Sequence, residues 1–245
     1  PLRDVETIET ELLLADLQSV EKRLEKLQKM AKGSKDAKAA AELMQGLLAH
    51  LNEGKAAAAF ALPDNETFLA SWRELGLITA KPVIYCANVD EVAVADGNAY
   101  VNKVRALAAE RKAGFACICA KLEEELQGLP EDEQAEMLAS YGIEESGLVR
   151  IIRTGYATLG LCSYFTAGPD EVRAWTIHQG WKAPQAAGVI HTDFERGFIR
   201  AEVISFEDYM GHESEAACRA DGVLRVEGKD YVVRDGDVMH FLFNV

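Results

Sequence analysis

The sequence predicts an α/β protein in three parts: a helical coiled-coil hairpin, a parallel sheet, and a small α+β domain. Three observations predict it. Apolar residues recur at 3-4-3-4 spacing through the first fifty residues. Two short apolar runs, each followed by a helical pattern, then suggest buried parallel strands. Finally, short strand candidates separated by turn residues fill the C-terminal third.

The hairpin comes first. From about Glu6 to Asn52 the composition is helical, and Leu17, Val20, Leu24, Leu27 and Ala31 mark a coiled-coil seam. Gly33-Ser34 breaks the pattern, and Ala40, Leu43, Leu47 and Leu51 resume it. Two helices joined by so short a turn fold back as an antiparallel pair. The tip carries Lys26, Lys29, Lys32, Lys35 and Lys38 against the single acid Asp36. It reads either as a solvated, solubilising helix end or as a contact for an acidic partner such as RNA.

The pattern changes from Leu75. Lys81–Asn88 is a short apolar run ending in a polar residue, and Gly114–Ala120 is a second. An amphipathic helix between them, near Asn98–Lys112, predicts a parallel crossover, with sites at the carboxyl ends of the strands. An acid-rich helix through Glu145 and an apolar helix near Leu148–Leu159 follow. Beyond Gly160 the strand candidates are Val172–Ile177, Gly197–Ile204, Gly222–Val226, Tyr231–Val233 and Val238–Phe243. Helices are expected at Pro184–Ile190 and near Glu213–Ala220. This mixture suits a β-grasp domain of the ubiquitin-like kind.

Bulk properties exclude several classes. Apolar residues make up 49% of the 245, enough for ordinary cores. No apolar run approaches the ~20 residues of a membrane span. A net charge of −14 argues against a surface coated for nucleic acid, though not against a local basic patch. Pro1–Glu6 is charged, with no signal-peptide core. With no initiator Met, the natural N-terminus is expected upstream. Five cysteines (Cys86, Cys117, Cys119, Cys162 and Cys218) form no framework and read as reduced cytosolic thiols. Cys117 and Cys119 are expected to be buried small residues rather than half of a metal site.

The candidate chemistry sits at Asn88-Val89-Asp90-Glu91, directly after the first apolar run. P-loop GTPases place Asn-Lys-x-Asp here, and the Asp carboxylate accepts the guanine N1–H and 2-amino hydrogens. Adenine offers no such donor pair. With Val89 for the Lys and Glu91 for the Asp, the guanine fork is lost and base preference should relax or reverse. Cys119-Ala120-Lys121 stands where such proteins carry Ser-Ala-Lys, a turn whose backbone N–H groups approach the base. It reads equally as an ordinary strand-to-helix turn.

The chain resembles the Obg-like ATPase (YchF) family over essentially its whole length. The matching segments are Arg3–Ile8, Glu11–Leu17, Ala87–Glu91, Tyr164–Gly168, Glu171–Ile177, Ala183–Glu195 and the ending Asp235–Val245. The last looks like the family's natural C-terminus. The resemblance implies an α/β P-loop NTPase remnant with an inserted coiled-coil hairpin and a C-terminal TGS domain of β-grasp type. Residues 1–15 would end the N-terminal part of the NTPase domain and 16–75 would be the helical insertion. Residues 76–159 would continue the NTPase domain, and 160–244 would be the TGS domain. It also implies ATP hydrolysis with Mg²⁺ in the cytoplasm and association with ribosomes as a translation or stress factor. By position, Asn88 would contact adenine, Val89 would meet its edge through the main chain, and Glu91 would replace the guanine-binding Asp. Cys119 and Ala120 would border the base.

One departure is decisive. No G-x-x-x-x-G-K-[ST] occurs in the sequence, and no Asp-x-x-Gly precedes the helical region to hold a Mg²⁺-bound water. Phosphate cradle and metal supply most of the electrostatic catalysis in this class. By itself the chain is therefore expected neither to hold ATP tightly nor to hydrolyse it. The rival reading is a nucleotide-independent RNA- or ribosome-binding module that uses the lysine tip and the C-terminal domain. Neither DNA nor membrane partners are expected.

Remaining candidates read as structural. His191 and Asp193 satisfy backbone groups at a helix-to-strand junction rather than binding metal. Trp175 and Phe198 pack in the core rather than stacking on a base. Arg173, Arg196 and Arg200 line solvated strand faces, with phosphate contact as the alternative.

Overall fold

The computed structural model describes residues 1–168, 171–212 and 214–244. It comprises two compact units, Pro1–Thr154 and Gly155–Val245.

The first unit opens with helices α1 (Leu2–Met30) and α2 (Lys35–Asn52). The Ser34 hydroxyl starts α2 by accepting the Ala37 N–H at 3.3 Å. Val20, Leu24 and Leu27 of α1 are buried with Ala40, Ala41, Met44, Leu47 and Leu51 of α2 in one cluster. The α2 seam is rotated from the expected one: Met44 is fully buried, whereas Leu43 only packs against the cluster. Helix α1 also begins at Leu2 instead of near Glu6, so residues 1–15 are continuous with it.

A 3-10 turn (Ala57–Ala59), helix α3 (Glu66–Leu75) and a second 3-10 turn (Ile78–Ala80) close this cluster. Gly76 ends α3 with φ +55°, a left-handed conformation that suits glycine. Buried Asp16 anchors the second turn. Its carboxylate accepts the N–H groups of Ile78 and Thr79 at 2.8 Å each and the Thr79 hydroxyl at 2.7 Å.

Strands β1 (Ile84–Asn88) and β2 (Gly114–Ile118) pair in parallel, with Asn88 level with Ile118. Helix α4 (Ala99–Glu110) makes the crossover, capped by the Asn98 side chain on the Tyr100 and Val101 N–H groups. Helices α5 (Ala120–Leu126), α6 (Glu131–Ser140) and α7 (Gly147–Leu159) follow β2. The single acid-rich helix expected through Glu145 is thus two. Gly128 at φ +84° and Pro130 ahead of α6 interrupt the backbone hydrogen-bond ladder.

The second unit contains β3 (Leu161–Ala167), β4 (Val172–His178), α8 (Ala183–Ile190), α9 (Thr192–Arg196), β5 (Phe198–Ser205), α10 (Phe206–His212), α11 (Glu215–Ala220), β6 (Arg225–Glu227) and β7 (Asp237–Phe243). The strands form one mixed sheet in the order β4-β3-β7-β5-β6; only the β3–β7 pair is parallel. Helix α8 lays Ala183, Ala186 and Ala187 into a core with Tyr164, Ile177, Phe198, Val203 and Phe241. The alanines let the helix backbone approach so closely that the Tyr164 hydroxyl donates to the Ala186 carbonyl at 2.9 Å.

Several expectations shift here. Strand β3 follows α7 after a single glycine, so no turn cluster announced it. The segment expected at Gly222–Val226 forms a ladder only over Arg225–Glu227, and that at Tyr231–Val233 reduces to one bridge, Lys182 to Val232. Helices α9 and α10 are too short to show a period. The helix expected near Glu213–Ala220 starts at Glu215; Glu213 itself, like Val245 of the terminal motif, lies outside the described residues.

Candidate functional site

At the carboxyl ends of β1 and β2 the loop that follows β1 meets the first turn of α5, and the chain builds the site from their pairing. The β1 ladder continues one step past the strand, where Val89 N–H donates to the Ile118 carbonyl at 2.8 Å. That bond holds Asn88 beside the start of α5, and the Asn88 Oδ1 accepts the Ala120 N–H at 3.0 Å. The Asn88 side chain is exposed, and its amide nitrogen has no protein acceptor among the described residues. It can therefore donate to an acceptor atom of a bound ring.

Val89 and Cys119 face inward, against a cluster of Val94, Leu122, Leu126, Leu138 and Ile143. Cys119 is only 1% exposed and caps α5 without any side-chain hydrogen bond, so its role is packing. Cys117 is buried as well, and burial pushes its thiol above the ordinary range. Both meet the expectation of buried small residues. Cys86, by contrast, is exposed.

Asp90 turns the loop: its carboxylate accepts the Ala93 N–H at 3.1 Å and its carbonyl accepts the same group at 3.2 Å. Glu91 then reaches across to the first turn of α5, where the Lys121 ammonium donates to Glu91 Oε1 at 2.6 Å. This hydrogen bond holds the Glu91 carboxyl below the usual carboxylate range and raises Lys121 above the usual amine range.

A brace joins α5 to α7. Glu123 accepts the Gly147 N–H at 2.6 Å and the Leu148 N–H at 3.1 Å, capping α7 with a carboxylate. A Cβ at Gly147 would meet Ile118 Cγ2 at 2.7 Å, so glycine is what lets α7 lie against the end of β2. Arg150 donates to the Cys117 carbonyl at 3.1 Å.

The structure thus brings Asn88, Val89, Glu91, Cys119 and Ala120 together around one strand end. The Ala120 N–H differs from the sequence expectation, because Asn88 occupies it and a base would have to compete. Sequence reading placed Lys121 in the turn after the second strand but missed its pairing with Glu91, and it missed the roles of Glu123 and Gly147. Opposite charges just beyond the ends of neighbouring parallel strands were a usable signal for that pair; the glycine contact had none.

Elsewhere, Lys26, Lys29, Lys32, Lys35 and Lys38 are all exposed around the α1–α2 turn, with no ion pair among the described residues. His191 caps α9 through its Nδ1, which accepts the Asp193 N–H at 3.2 Å. Phe198 is core, and Trp175 packs against that core with its indole N–H on the Thr166 hydroxyl at 2.9 Å. Arg173 stacks over Trp175 at 4.1 Å, while Arg196 and Arg200 are exposed. Among the described residues no three His, Cys, Asp or Glu side chains gather to hold a metal. No described helix is long and apolar enough to cross a membrane.

The arrangement of strand ends and loops is that of a YchF-type nucleoside triphosphatase fold. A structure titled for the Schizosaccharomyces pombe YchF GTPase matches at a TM-score of 0.76 and 36% identity, covering 99% of this chain and 66% of that one. A GTP-binding protein from Pyrococcus horikoshii matches at 0.57 and 17% identity, a likeness of fold alone. A family model, YchF-GTPase_C, described as a protein of unknown function (DUF933), matches residues 161–244. Proteins named ribosome-binding ATPase YchF are 48% identical in Haemophilus influenzae and 46% in Bacillus subtilis, each over all of this chain and 67% of the relative. Obg-like ATPase 1 of Oryza sativa is 41% identical over 62% of its length.

The chain belongs to the YchF family of Obg-like ATPases. It spans about two-thirds of the length of these relatives.

Proposed function

We propose that this chain supplies the base-selecting end of an adenine-nucleotide site in a ribosome-associated ATPase of the YchF family. The observation that carries the reading is the Asn88–Ala120 clamp at 3.0 Å, set at paired strand ends with Glu91 where a GTPase carries its guanine-binding Asp. Asn88 would donate to an adenine ring nitrogen, and Val89 would meet the base edge through its main chain. ATP held tightly, and hydrolysed with Mg²⁺, requires a phosphate loop and metal ligands that this sequence does not contain. Within this reading the α1–α2 hairpin is the coiled-coil insertion and the mixed-sheet unit is the TGS domain, acting in the cytoplasm. The names of the relatives support ATP and the ribosome as partners.

Titrating the chain with labelled ATP and GTP, with and without an N-terminal extension carrying a phosphate loop, tests the reading. The extended form should bind ATP more tightly than GTP, and Asn88→Ala should weaken that binding about tenfold. Tighter binding of GTP would reject the base assignment.

A second reading rests on the lysine tip, whose five ammonium groups are exposed. As a nucleotide-independent module, the chain would co-sediment with ribosomes through these charges. Lys26, Lys29, Lys32 and Lys35 changed together to Glu should then abolish co-sedimentation at low salt. Unchanged sedimentation would remove the tip from the interface.

A further inference from the structure

Glu91 poses a problem that the substitution of Asp by Glu does not itself solve. A glutamate carboxylate still has two oxygens, and a longer side chain can still reach a guanine edge. What distinguishes this site is Lys121. Its ammonium sits 2.6 Å from Oε1 of Glu91, and Glu125 is also within 3.8 Å of it. The Lys121 side chain is 67% exposed while that of Glu91 is 26% exposed, so the lysine is the more solvent-exposed partner of the pair. No other cation pairs with Glu91 among the described residues.

From this geometry we infer that Lys121 is the specificity-determining residue of the base site, through its hold on Glu91. Guanine recognition draws on both carboxylate oxygens, one for N1–H and one for the 2-amino group. The Lys121 ammonium takes one lone pair of Oε1, neutralises the carboxylate charge and sets a positive group beside the place where the guanine donors would arrive. Adenine, whose N1 is an acceptor, makes no call on that carboxylate. Guanine therefore finds its charge-assisted fork weakened, while adenine loses nothing. Lys121 touches no reacting atom; it positions and masks a carboxylate. The inference rests on the base-site reading above.

The test keeps the two separable. ATP and GTP are titrated to millimolar concentration into the ¹⁵N-labelled full chain, alone and with the N-terminal extension carrying a phosphate loop, and binding is read from the amide shifts of Val89, Asp90 and Ala120. Asn88→Ala, Lys121→Met and Lys121→Arg variants are measured alongside. Lys121→Met should raise GTP affinity relative to ATP about tenfold, the size of one charge-assisted hydrogen bond, and Lys121→Arg should restore the original ratio. Lys121→Met should also return the Glu91 carboxyl titration, followed by ¹³C shifts, toward the ordinary range. If ATP binds, Asn88→Ala weakens it, and Lys121→Met leaves the ratio unchanged, the inference is overturned while the base site stands. If neither nucleotide shifts these amides in any variant, even with the phosphate loop supplied, both are overturned.

Discussion

The two sheets of this chain live in different circumstances. The five-stranded sheet encloses its own core: Tyr164, Ala201 and Val203 are fully buried beneath α8. The parallel pair β1–β2 encloses little. Only Ala116 and Cys117 among its side chains are buried, and its end is held by bonds from Arg150 and by the Asn88–Ala120 clamp. One sheet is a body that packing holds together. The other is a platform whose exposed carboxyl end is the useful part, and polar contacts hold it.

Mutations can break this contrast at either side. The largest effect is expected at Tyr164→Ala. It deletes a buried ring that packs edge-on against Phe241 at 5.6 Å and donates to the Ala186 carbonyl. A loss of about 3–5 kcal/mol is expected, as for other buried aromatic truncations. Hydrogen exchange should show it in the amides of β3, β5 and β7.

Next comes Asp16→Ala, which removes the buried carboxylate that accepts the N–H groups of Ile78 and Thr79 and the Thr79 hydroxyl. About 2–4 kcal/mol is expected, since three hydrogen bonds to a charged acceptor are lost together. Urea unfolding monitored by circular dichroism of the helical hairpin would measure it, and a loss below the error of the extrapolation would mean that water replaces the carboxylate.

Gly147→Ala sharpens the comparison from the platform side. Its Cβ would press on Ile118, and about 1–3 kcal/mol of overpacking is expected. The amide resonances of Val89 and Ala120 should move while those of β3 and β5 stay fixed. Uniform movement would deny the platform any local character.

The smallest effect is a pH response. The folded-state pKa of Glu91 is depressed, chiefly by its hydrogen bond to Lys121, so the pair's contribution is present above the unfolded value. It is lost as pH falls through the folded value, below the usual carboxylate range. Both partners face solvent, so the effect should show in the Lys121 Nζ resonance rather than in global stability.

How legible the chain was follows the same division. The α1–α2 hairpin was readable because a packed helix face must repeat every three or four residues, and Val20, Leu24, Leu27, Leu47 and Leu51 keep that period. Which residue of α2 faced the seam was not readable, since Leu43 and Met44 are equally apolar and only the packing angle chose Met44. Strands β1 and β2 were readable as apolar runs with polar ends. Strand β3 was not, because it leaves α7 through Gly160 alone, with φ +63°. The site was half legible. Asn88 and Glu91 stood out by spacing, whereas the roles of Lys121 and Gly147 emerged only once α5 and α7 were placed against the strand ends.

The sequence by itself determined the helical hairpin, the two apolar strands, the Asn-x-x-Glu segment after the first of them and the lack of a phosphate loop, because period, burial and motif are properties of neighbours along the chain. The tertiary structure alone decided that Ala120 closes on Asn88 and Lys121 on Glu91. Those contacts join residues about thirty positions apart, and only the parallel register of β1 and β2 brings them within reach of a hydrogen bond.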